Sequence, residues 1–177
     1  MTTPGIRRGA VWLRGAVPNI PPLLQPVAHS LIQVAEDLPK ELEHLPEEAL
    51  WTRLGESAPI GFHLAHLIGS LDRLVTYARG EALSDDQLRT LEGERRLAET
   101  RPSLLDLLAR LDETVQRALR QLEGTPPDVL LEPREVGRGK LPSNTLGLLF
   151  HAAEHSTRHA GQIATLLRVL KGTKELG

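Results

Sequence analysis

The 177-residue chain contains no cysteine. That absence excludes disulfides, cysteine-ligated zinc and an intrinsic thiol nucleophile, and it leaves any metal chemistry to histidine and carboxylate side chains. An excess of positive charge is also missing. With 21 Lys+Arg against 23 Asp+Glu the formal net charge is -2, so no global basic field is available to hold nucleic acid non-specifically. There is no basic recognition helix either, and a nucleic-acid partner is not expected. Long hydrophobic runs are absent as well. No segment approaches the ~18 apolar residues of a membrane span, and the N-terminal "MTTPGIRRGAVWLRGAVPNIPP" has no apolar stretch of signal-peptide length. No membrane partner is expected, and the cytoplasm is the simplest location. What the chain does have is 40% hydrophobic content, enough for an ordinary core. The expected organisation is a Pro/Gly-rich leader over residues 1–23 followed by one domain over 24–177.

The apolar residues of that domain recur at helical intervals. Leu24, Val27, Leu31, Val34, Leu38 and Leu42 step by three and four and predict a first amphipathic helix, with Pro39 expected to kink or break it. Ser57 reads as an N-cap and Pro59 as a first-turn residue of a second helix, which Gly80 should stop. "SDDQLRTLEGERRLA" suits a short charged helix. Leu104, Leu108, Leu111, Val115, Leu119 and Leu122 mark a third long helix that ends at Gly124. "DVLLEPREVGRGKLP" reads as a loop with one short extended piece, after which Ser143 is expected to begin a fourth long helix. Four long amphipathic helices with almost no strand signal predict an all-α fold, a four-helix bundle.

Three of the seven histidines fall in "HAAEHSTRHAGQI", four residues apart. On a helix His151, His155 and His159 share one face, among Leu148, Ala152, Leu166 and Leu170, and that face is expected to point inward. Buried imidazoles need hydrogen-bond partners or a metal. The outer two are about 12 Å apart along the axis, so one ion would take only one neighbouring pair. The other paired histidines are in "GFHLAHL" of the second helix. There Gly61, Ala65 and Gly69 form a small-residue stripe suited to close helix approach. His63 projects toward Ile60, Leu67, Leu71 and Leu74, whereas His66 projects with Ser70, Arg73 and Tyr77, a mixed surface suited to a pocket wall. His66 is therefore the better ligand and His63 a packing residue or a support for the ligands. Two histidines from one helix and one from another leave open positions on an ion, as catalytic zinc sites do. The alternative is that ordinary hydrogen bonding satisfies all of them, which is the expectation for His29 and His44. Arg134, Arg138 and Lys140, just before the fourth helix, could grip an anionic substrate, although a solvated loop is the favoured reading.

"GFHLAHLIGSLDRLVTYARGEAL" followed some eighty residues later by "HAAEHSTRHAGQIATLLRVL" resembles the DinB-like family of metal-binding four-helix proteins, over about Leu24 to Lys171. The resemblance implies a ligand set of His66, His155 and His159; His63, His151, Gln162 and Tyr77 are the expected neighbours of that set, and Gly161 would allow close packing. It implies a divalent transition metal, zinc or nickel first among the candidates. It also implies a metal-dependent enzyme that joins a low-molecular-weight thiol to an electrophilic substrate, for which a chain without cysteine would need an external thiol. The rivals are a metal-dependent hydrolase and a non-catalytic metal-binding or dimerising bundle, in which the ion supports the fold and the exposed helix faces associate, as in a homodimer. No general base is evident, since Glu154 projects about 100° away from His155.

Overall fold

The computed structural model describes residues 9–175. Among them are four long helices: α1 (Gln25–Leu42), α3 (Ile60–Ala78), α6 (Leu104–Glu123) and α7 (Thr145–Glu175). Three shorter ones, α2 (Glu47–Leu50), α4 (Asp85–Gly93) and α5 (Leu97–Thr100), lie in the connections. The four long helices pack in a closed cycle in which α7 and α6 each touch both α1 and α3. Their inward stripes form the core. All six periodic residues, Leu24 just before α1 and Val27, Leu31, Val34, Leu38 and Leu42 within it, are buried, as expected of apolar residues that share one helical face. Helix α1 continues through Pro39 rather than breaking there. On α6 the buried stripe is Leu107, Leu111, Thr114, Val115, Ala118 and Leu122, rotated slightly from the expected one. No described helix is long and apolar enough to cross a membrane.

The helix boundaries correct two expected caps. Ser57 does not cap α3, which begins at Ile60 after Pro59, a residue in extended conformation. Ser143 lies in a strand, and the side chain of Asn144 instead accepts the amide of Gly147 at 2.7 Å to open α7. Gly80, at φ +77, does stop α3, supplying the left-handed residue that a helix C-terminus favours. Helix α4 starts with a reciprocal capping box between Ser84 and Gln87.

The segment before α7 is a two-stranded antiparallel hairpin, β1 (Pro133–Val136) with β2 (Leu141–Asn144), rather than a loop with one extended piece. Arg134 is not a solvated loop residue and has little freedom to grip a substrate. It is largely buried and donates to the carbonyls of Ala78 and Pro133 and to Glu132, which fastens the hairpin to the end of α3. Residues 9–23 of the leader pack on α1. Val11 and Ile20 are buried, the amide of Val11 donates to Gln33, and Arg14 pairs with Glu36. Residues 1–8 of the expected leader lie outside the described residues.

Chain direction decides what surrounds the histidines. Asp72 and Val75 of α3 bond to Arg117 and Gln121 of α6 in the same order, so these two helices run parallel. The connection between them must therefore return the length of α3. Helix α4 makes that return, with Gln87 against Asp72 and Thr76 and, just past the helix end, Glu94 against Arg73 and His66.

Candidate metal centre

Helices α3 and α7 run antiparallel, with Ala78 beside Thr145 at one end and His63 beside His159 at the other. The two histidine clusters meet between them. His66, His155 and His159 each offer one ligand nitrogen, and these atoms all lie within 4.8 Å of one another. Nε2 of His66 is 3.2 Å from Nε2 of His155. The rings of His66, His155 and His159 pack at centroid distances of 4.5–5.3 Å, each pair edge to face. Burial and the neighbouring imidazoles hold His155 and His159 at pKa values of about 4, so both are neutral at pH 7, the form in which imidazole can ligate.

Each of the three is held from behind. The carboxylate of Glu94 accepts from Nδ1 of His66 at 2.7 Å and from Arg73 at 2.5 Å. Burial favours the neutral acid, but the hydrogen bonds from His66 and Arg73 outweigh it and keep the Glu94 pKa below the ordinary carboxylate value. A carboxylate can only accept, so the proton of His66 sits on Nδ1 and Nε2 faces the cluster as a lone pair. Gly69 makes room for this clasp: a Cβ there would stand 2.7 Å from Glu94 Oε1 and 2.8 Å from Arg73 Nη1. Nδ1 of His159 lies 3.0 Å from Nδ1 of His63, which is free to accept because His63 also bonds the backbone of Ala58; with His159 donating, its Nε2 is left as a lone pair. Burial and the nearby His66 lower the pKa of His63. On His155, Arg158 donates to Nδ1 at 3.1 Å. Phe62 stacks on the outer face of His66, with ring planes 4° apart and centroids at 5.7 Å.

This donor set fits a divalent transition metal: three neutral imidazoles, with a carboxylate behind one and a fourth histidine behind another, match the usual chemistry of such ions. Three nitrogens leave a tetrahedral ion one ligand short. Glu94 and Phe62 were not anticipated from the sequence. Glu94 carries no local signal, because its approach to His66 depends on the return path of α4. Phe62, four residues before His66 on the same helix, was detectable by spacing.

Other expected neighbours fall elsewhere. His151 does not face the core; it is half exposed and sits 3.3 Å from Glu154. The buried stripe of α7 runs through Leu148, Ala152, Ser156, His159 and Ile163. His151 lies at its border, although its ring still touches that of His155. Tyr77 is eleven residues along α3 from His66, about 16 Å, and lines a separate cavity with Arg134 and Arg138. Ser70 is turned back to the carbonyl of Leu67. Gln162 is exposed and borders a cavity of about 380 Å³ beside His63. No close packing occurs at Gly161, where a Cβ would meet nothing within 4 Å. Two of the small residues of α3 admit side chains: Gly61 receives the Trp51 ring, 2.7 Å from an added Cβ, and Gly69 receives Glu94. A larger cavity, about 640 Å³, is lined by His29 between α1 and α7 and includes none of His66, His155 and His159.

Three solved structures share the fold. A Streptococcus pneumoniae protein is 18% identical with a TM-score of 0.60, over 82% of this chain and 88% of its own. An uncharacterised Clostridium difficile 630 protein is 14% identical with a TM-score of 0.59, over 82% and 94%. The colibactin self-resistance protein ClbS, solved in complex with dsDNA, is 18% identical with a TM-score of 0.57, over 85% and 97%. The ClbS complex corrects the expectation that nucleic acid is excluded as a partner. A chain of this fold meets duplex DNA, so net charge and the lack of a recognition helix do not decide the matter. No curated protein matches the chain. The sequence signature of the DinB superfamily matches residues 30–163, spanning both histidine clusters and Glu94, and the chain belongs to the DinB superfamily.

Proposed function

We propose that the protein is a metal-dependent enzyme that transfers a low-molecular-weight thiol to an electrophile, with His66, His155 and His159 as the ligands and zinc or nickel as the ion. The observation that carries this reading is the convergence of three imidazole nitrogens within 4.8 Å in a set that leaves an ion an open position. A divalent ion held there supplies Lewis acidity, which lowers the pKa of a thiol to near neutrality. The chain's own residues do the positioning. Glu94 fixes the ring and tautomer of His66, His63 supports His159, and Phe62 covers one face of His66 against water. No side chain at the site is placed as a nucleophile, which agrees with an external thiol serving as one.

The test is a thiol titration of the cobalt-substituted protein. A sulfur-to-cobalt charge-transfer band should appear, and thiol consumption with an epoxide or a halogenated aromatic should require the metal. Both should be lost in His66→Ala, His155→Ala and His159→Ala and kept in His29→Ala, whose ring bonds only the carbonyl of Gly15. A spectrum unmoved by any small thiol refutes the transferase reading. The ClbS complex supports a second reading, a nucleic-acid partner. It requires duplex DNA to bind with an affinity that falls as salt rises, and no binding at low salt would refute it.

A further inference from the structure

The three histidines are not held alike. A guanidinium has only donors, so the contact of Arg158 Nη2 with Nδ1 of His155 at 3.1 Å makes that Nδ1 an acceptor. A neutral imidazole then carries its proton on Nε2. From there the proton points at Nε2 of His66, 3.2 Å away, which is a lone pair because the His66 proton is committed to Glu94. The hydrogen bonds run in one direction, from Arg158 through His155 and His66 to Glu94. This arrangement satisfies the metal-free cluster, and it blocks His155 as a ligand, because a protonated Nε2 has no lone pair to give. For His155 to ligate through Nε2, its proton must move to Nδ1. There it would meet the Arg158 donor head-on, and the guanidinium must leave.

We infer that Arg158 is a positioning residue that opposes metal loading by holding His155 in the tautomer that cannot ligate, so that binding an ion requires Arg158 to turn away. This rests on the reading of His155 as a ligand. Arg158 has somewhere to turn. Its side chain is half exposed and bonded to Glu154 at 3.1 Å, and it borders two cavities of about 380 and 440 Å³. The exchange moves a proton between two nitrogens of one ring and changes no net charge.

Arg158→Met keeps the aliphatic stem, removes the donor and, at an exposed position, leaves the fold intact. Zinc and cobalt should bind Arg158→Met about 10-fold more tightly than wild type, the scale on which groups behind a ligand act. Most of that gain should persist in 1 M salt, where the screening length is about 3 Å and simple charge repulsion is weakened. Long-range proton–nitrogen correlation of the metal-free rings should show His155 protonated on Nε2 in wild type, with Nδ1-protonated ring gaining population in Arg158→Met. Equal or weaker metal binding by the variant, or a wild-type His155 already protonated on Nδ1, overturns the inference alone. Failure of both proteins to bind either ion overturns the metal reading and this inference with it.

Discussion

Gly69→Ala separates the support of the histidine cluster from the stability of the fold. The added methyl carbon would stand 2.7 Å from Glu94 Oε1 and 2.8 Å from Arg73 Nη1, so the ends of these side chains must retreat by more than half an ångström. Both are flexible, and the backbone need not move. The 2.7 Å bond from His66 to Glu94 then lengthens toward the limit of a useful hydrogen bond. Replacing a mid-helix glycine by alanine gains about 1 kcal/mol, and losing one charged hydrogen bond costs about 2 kcal/mol. Net destabilisation should be only about 1 kcal/mol in urea unfolding of the metal-free protein. Metal affinity should fall much further in proportion, ~10–100-fold, because His66 loses the carboxylate that orients it. Gly161→Ala is the control. With nothing within 4 Å of its Cβ, it should stabilise α7 by about 1 kcal/mol and leave metal affinity unchanged. If Gly69→Ala binds metal like wild type, or if the two variants shift affinity alike, Glu94 does not support the centre as argued.

Two other outcomes follow from the cluster and the helix ends. Burial, foremost, with the neighbouring charges holds His155 and His159 at pKa values of about 4 in the fold, against about 6.5 when unfolded. Between those values the unfolded chain binds more protons, so stability should decline as pH falls from about 6.5 to 4, by less than ~1.4 kcal/mol per unit for each ring. Urea midpoints of metal-free protein should show this slope, and His155→Ala/His159→Ala should flatten it; an unchanged slope would count against the cause. Asn144→Ala removes the side-chain acceptor for the Gly147 amide and should cost about 1 kcal/mol. Ser143→Ala, whose hydroxyl makes only a 3.5 Å contact with the Asn144 carbonyl, should cost less, and equal losses would return the cap to Ser143.

Local pattern carried much of this protein. The stripe from Leu24 to Leu42 and the pairing of histidines at four-residue intervals are properties of single helices, and burial follows them because an apolar face must be covered wherever its helix packs. Burial at the borders of those faces is not a property of a single helix. His151 and Tyr77 sit on plausible faces, yet one is half exposed and the other lies far along α3. Whether a border residue is covered depends on which element overhangs it. Cap residues behaved likewise: Ser143 and Asn144 are equally good by type, and hairpin register put Asn144 at the first free turn of α7.

The sequence by itself determined an all-α chain with four long amphipathic helices and two histidine clusters, because helical periodicity and chemical type are both written within a few turns of chain. Only the tertiary structure decided that α3 and α7 run antiparallel with their clusters level, and that α6 runs parallel to α3 so that α4 must travel back across it. That return path brings Glu94 to His66 from 28 residues away. Glu94 lies in a charged segment with no spacing relation to any histidine, and its role arises from the physical need to connect two parallel helices, which no local pattern encodes.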